Sequence, residues 1–103
     1  MLTREQAVLE FPQLGKFDSL IEHIDSDIRK CEIGLPKLVK PLVSIRRAAL
    51  LHKNVAFHVA TTRDFVSIQA KRHLSNAISL IVDAAKLYMK AEMSEVSKKM
   101  AGV

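Results

Sequence analysis

The sequence predicts an all-α fold, and three observations carry that prediction. Glycine and proline number only three each in 103 residues, and all but Gly102 lie at or before Pro41. A sheet protein of this length would spend glycine, Asn and Asp on tight turns. Two segments place apolar residues at alternating spacings of three and four, the helical period. The last two-fifths, 61–101, holds no glycine or proline and opens on a capping signature. Together these predict a helical hairpin or four-helix bundle in a single domain spanning 1–103, with a long C-terminal helix. Apolar and charged fractions of 49% and 26% are those of an ordinary folded protein and exclude wholesale disorder.

Thr3 followed by Gln6 forms a capping box, with Leu2 before it as a staple residue. A short helix over 4–10 follows. Pro12 stops it, because the residue before a proline avoids the helical region, and Leu14-Gly15 reads as a turn.

The second helix, about 17–33, has the clearest seam: Phe17, Ile21, Ile24, Ile28, Cys31 and Leu35, widened by Leu20. Asp18 suits the helix start, where the dipole favours negative charge. Gly34 reads as a left-handed cap, with Pro36 just beyond it.

The third helix begins at Pro36 or Pro41 and runs to about residue 60. Its seam is Leu42, Ile45, Ala49, His52, Ala56 and Val59, with Lys40, Ser44, Arg47, Asn54 and His58 opposite. Alternation of Val55, Phe57 and Val59, then Val66, Ile68 and Ala70, would suit a β-hairpin instead. Its turn, Thr61-Thr62-Arg63-Asp64, lacks the Gly or Asn of a primed turn. The same tetrapeptide fits Thr-x-x-Asp capping of a new helix, flanked by Ala60 and Phe65 as a staple. Helix is the preferred reading.

The fourth helix then covers about 62–101, roughly 60 Å at 1.5 Å per residue. Lys71-Arg72-His73 is where it would bend if it bends at all, and Gly102 ends it. Over 74–89 it is apolar on most sides. Only Asn76, Ser79, Asp83, Lys86 and Lys90 form a narrow polar strip. A surface helix needs one apolar stripe of about 100°, so this one requires cover from more than one direction.

The short link at Gly34 makes the second and third helices antiparallel neighbours. Counting outward pairs Ile28 with Leu42, Ile24 with Ile45 and Ile21 with Ala49. The same register brings Glu22 and Asp25 near Arg46 or Lys53. Net charge is +5 but uneven: residues 1–36 balance to −3 and residues 37–73 to +7. Internal pairing accounts for part of this asymmetry.

Candidate chemistry is sparse. Cys31 is the single cysteine, which excludes an internal disulfide and suits a reducing cytoplasm. The N-terminal Met-Leu-Thr-Arg-Glu lacks a secretory pattern, and no apolar run is long enough to span a membrane. His23, His52, His58 and His73 form no His-x-x-x-His pair, so no metal or cofactor is expected. His52, on an apolar seam, reads as a hydrogen-bonded core imidazole. No nucleophile elbow or phosphate loop is present, Asp25 and Asp27 point apart on a helix, and no catalytic residue is assigned.

The expected function is therefore non-enzymatic: a helical assembly or adaptor subunit that self-associates or packs on a protein partner, as a phage or virion structural component would. The expected interface is Leu80, Ile81, Val82, Leu87, Met89, Met93, Val96 and Met100. The alternative is a basic nucleic-acid-binding regulator using Lys40, Arg46, Arg47, Lys53, Lys71 and Arg72. A scarcity of aromatics, one Tyr, four Phe and no Trp, supplies little for stacking on bases. A second alternative is a small inhibitor or immunity-type protein that caps one partner.

Overall fold

The fold is that of a computed structural model, which describes residues 2–62 and 67–101, Met100 by its backbone alone. Four helices run in order: α1 (Arg4–Glu10), α2 (Lys16–Gly34), α3 (Val39–Thr62) and α4 (Ile68–Ala101). No described residue lies in a strand. Val55, Phe57 and Val59 are in α3, and Ile68 and Ala70 are in α4. The hairpin reading therefore falls. Its Val66, together with Arg63, Asp64, Phe65 and Gly102, lies outside the described residues.

The capping box forms as expected. The Gln6 backbone N–H donates to Thr3 Oγ1 at 3.1 Å, and the Thr3 N–H donates to Gln6 Oε1 at 2.9 Å. Phe11 leaves the helix at φ −129°, ψ 79°, and Pro12 opens a 3-10 turn over Pro12–Gly15 that leads into α2.

Gly34 corrects the sequence reading. No described glycine has positive φ, and Gly34 is the last helical residue of α2. Leu35 makes the break instead, at φ −140°, ψ 67°, with its N–H still donating to the Cys31 carbonyl at 2.8 Å. Pro36 bars Leu35 from the helical region, so a left-handed residue is not required. A 3-10 turn, Pro36–Leu38, feeds α3, whose first turn absorbs Pro41 at no cost in hydrogen bonds.

The start of α4 is also corrected. Thr62 belongs to α3, where its hydroxyl donates to the His58 carbonyl at 2.6 Å. The cap is Ser67: its Oγ accepts from the Ala70 N–H at 3.1 Å, and its carbonyl accepts from the Lys71 N–H at 3.1 Å. A serine is among the best residues for that position. From there α4 runs through Lys71-Arg72-His73 as one helix of 34 residues, about 51 Å long.

α3 is the middle helix. It packs against α2 on one side and α4 on the other, while α2 and α4 approach each other little. Two core clusters follow. Near the N-terminal arm, Phe11, Leu14 and Phe17 pack with Ala56, Phe57 and Ala60 of α3 and Leu74, Ile78, Val82 and Ala85 of α4. In the other half, Ile21, Ile24 and Cys31 meet Leu42, Ile45 and Ala49, with Met89 and Val96 from α4. The expected α2–α3 partners Ile28, Leu42, Ile24, Ile45, Ile21 and Ala49 all share this second cluster. Gln13 ties the arm down. Its Nε2 donates to the Ser75 carbonyl and hydroxyl and to Ser79 Oγ, at 3.1, 2.9 and 3.3 Å.

The resulting body is a slab of 55 × 21 × 15 Å with a radius of gyration of 16.2 Å. A compact domain of about 100 residues has a radius near 13 Å. The accessible surface, 6969 Å², exceeds the roughly 5,800 Å² that size scaling gives for an 11.5 kDa globule. One substitution in each cluster tests the packing. Ile24→Ala and Ile78→Ala each remove a fully buried side chain, and each lowers the unfolding free energy by about 2–5 kcal/mol, read from the urea midpoint.

Candidate functional site

α4 has two apolar faces, and only one of them is used inside the chain. Leu74, Ile78, Val82, Ala85, Met89 and Val96 are buried, with Met93 partly so. Roughly 150° around the helix, at 100° per residue, a second stripe runs through Ala77, Leu80, Ala84, Leu87 and Ala91. Its spacing of three, four, three and four is as regular as that of the first. Leu80 and Leu87 are each 69% exposed, and Ala84 and Ala91 are exposed as well.

The stripe lies beside α3. Between the two helices is a shallow groove of about 420 Å³, lined by Leu51, His52, Val55, Leu80, Ile81 and Ala84. Leu51 and Val55 are more than half exposed. The His52 Nδ1 lies 2.8 Å from the Ala48 carbonyl; a carbonyl only accepts, so Nδ1 carries the proton and donates. That bond holds the ring in the groove wall, and the Tyr88 ring lies beside it, its centroid 6.3 Å from that of His52. Other exposed apolar side chains, such as Leu9, Ile33 and Ile68, stand singly near helix ends and are ordinary surface. Here they gather. Contiguous apolar surface is what distinguishes a candidate docking face from singly exposed side chains.

The residues expected at an interface divide. Leu80 and Leu87 face outward, and Ile81 is half-buried in the groove wall. Val82, Met89 and Val96 are spent on the intrachain core, with Met93 packed against it. The side chain of Met100 lies outside the described residues. Leu51 and Val55 were absent from the expected set. They sit one step off the α3 seam, and only the placement of α4 shows that this step leads to a groove.

The basic residues divide as well. Arg46 Nε donates to Asp25 Oδ1 at 2.6 Å, and Lys53 Nζ donates to Asp18 Oδ1 at 2.9 Å. Lys71 pairs with Glu10. Glu22, also placed near these cations by the helical register, makes no ion pair among the described residues. Arg4 spends its guanidinium over the Phe57 ring, 4.8 Å from the centroid. Lys40, Arg47 and Arg72 remain exposed, without an ion pair among the described residues. Half of the candidate phosphate contacts are thus engaged with carboxylates of the acidic arm.

Among the described residues, no three His, Cys, Asp or Glu side chains gather where a metal ion would bind. His23 lies 3.8 Å from Asp27 and is otherwise open to solvent. Cys31 is a free, buried thiol. No described helix is long and apolar enough to cross a membrane. The Arg46–Asp25 pair is about one-third exposed on each side, so Arg46→Ala costs at most about 1 kcal/mol, and the loss shrinks in high salt when followed by urea unfolding. Searches found no matching family model, curated protein or solved structure, so the reading of this groove rests on its geometry.

Proposed function

We propose that this chain is a non-enzymatic assembly or adaptor subunit that docks protein through the outer face of α3 and α4. The observation that carries the reading is the unused second seam of α4, with Leu80 and Leu87 each 69% exposed beside the Leu51–Val55 wall. Burying two such leucines gives about 1.5–3 kcal/mol apiece, which is the scale of an interface hot spot. The thin slab supports it too. Its surface exceeds that of a compact globule by about 1,200 Å², whereas one side of a standard interface covers about 800 Å².

The groove is apolar, and among the described residues that line it His52 alone carries ring nitrogens, one of which is committed to the backbone. Such a surface recognises shape and hydrocarbon, as a helix laid in a groove does. Phosphate-backbone binding would instead need a continuous cationic track, and the α2 carboxylates Asp25 and Asp18 interrupt it at Arg46 and Lys53.

Leu80→Asp and Leu87→Asp test the reading. Both side chains point away from the core, so helical circular dichroism stays unchanged while association, followed by size exclusion with light scattering, is lost. Ile81→Asp is a poorer test, because Ile81 also packs against the first core cluster. Duplex DNA titrated at two salt concentrations provides the contrast. Binding that weakens steeply with salt and disappears in Arg47→Ala would replace protein docking with phosphate recognition.

A further inference from the structure

We infer that the occupant of the groove is a second copy of this chain, its α4 laid antiparallel on the first. The inference rests on the docking reading above and adds partner, orientation and register to it.

The two flanks of the outer stripe decide the orientation. Toward α3 the flank is apolar, formed by Ile81 and Tyr88 and then the groove wall. Away from α3 it is charged, with Asp83 and Lys90 both exposed and neither in an ion pair among the described residues. Two copies related by a two-fold axis present the same patch to each other. With helices antiparallel, like flank meets like flank: groove wall against groove wall, and charged edge against charged edge. With helices parallel, the Asp83–Lys90 edge of each copy would lie on the apolar flank of the other, burying charges without partners.

Size and charge then fix the register. The stripe alternates Ala77, Leu80, Ala84, Leu87 and Ala91. Placing Ala84 opposite Leu87 of the second copy puts Leu80 opposite its Ala91. The four layers from residue 80 to residue 91 then each hold one leucine and one alanine, the combination that packs without voids, while Ala77 at each end faces Ser94. In that register Leu87 of the second copy arrives beside Ala84, at the groove between Leu51 and Leu80. The same alignment brings Asp83 within one helical turn of Lys90 of the second copy, twice by symmetry. Sliding by one heptad, so that Ala84 faces Leu80, keeps the leucine–alanine layers but sets Asp83 against Asp83. Only the first register satisfies both packing and charge.

The test is a charge exchange read by light scattering and sedimentation equilibrium on the full chain. The wild type is expected at twice the 11.5 kDa chain mass, and Leu87→Asp at the chain mass with unchanged circular dichroism. Asp83→Lys sets Lys against Lys90, and Lys90→Asp sets Asp against Asp83. Each single change should raise the dimer dissociation constant by about tenfold, and the double exchange should return it to within about threefold of wild type. A chain that stays monomeric at millimolar concentration overturns the inference, leaving the groove to a different protein. A dimer broken by Leu87→Asp but not restored by the double exchange overturns the antiparallel register and leaves docking through this face intact. A dimer indifferent to both Leu80→Asp and Leu87→Asp overturns both readings.

Discussion

The structure depends on one geometric constraint: α3 is sandwiched between α2 and α4, and no fourth long helix among the described residues closes the slab. A helix in the middle of three buries two faces, and its seam of Ala49, Ala56 and Ala60 with Leu42, Ile45 and Phe57 meets that demand. The small residues let neighbours on both sides come near. An outer helix in such a slab can bury only one face. For α2 this suffices, because Asp18, Glu22, His23, Arg29 and Lys30 cover the other. For α4 it does not suffice, because the chain has written leucine where a solvated helix would carry charge.

Local structure was legible wherever a stereochemical rule acts over a few residues. The Thr3–Gln6 box, the stop before Pro12, the α2 seam and the antiparallel α2–α3 link all follow from spacing. Gly34 and Thr61 show where such rules compete. At Gly34 two stop signals adjoin, and the proline acts first, so the glycine keeps an ordinary helical conformation. At Thr61 the threonine signature competes with continuation of α3, where its hydroxyl donates to the Phe57 carbonyl, and Ser67 takes the capping role six residues later. The candidate face was legible only in part. A helix apolar on most sides does not reveal which side faces inward, so Val82 and Met89 could not be told from Leu80 and Leu87 without α3 in place. Leu51 and Val55 needed the same information.

Part of the charge asymmetry of this chain is resolved internally. An acidic first third beside a basic middle resembles a molecule built to meet an oppositely charged partner. Asp18, Asp25 and Glu10 instead reach across to Lys53, Arg46 and Lys71. These pairs contribute little free energy each, being part-exposed. Their value is in choosing among arrangements, since they fix how α2 slides along α3 and where the N-terminal arm meets α4. The asymmetry of sequence thus becomes a set of pins along the slab.

Cys31 carries a practical corollary. It is the sole thiol of the chain, buried where α2 meets Leu42 of α3 and Met93 and Val96 of α4. A thiol this buried reacts slowly, and opening of that half of the slab speeds its alkylation. The rate at which an excess of thiol reagent marks this single atom is therefore a clock for opening of the distal end. Held beside the fluctuations of the Phe11–Phe17 half, it would tell whether the two ends of the molecule breathe together or separately.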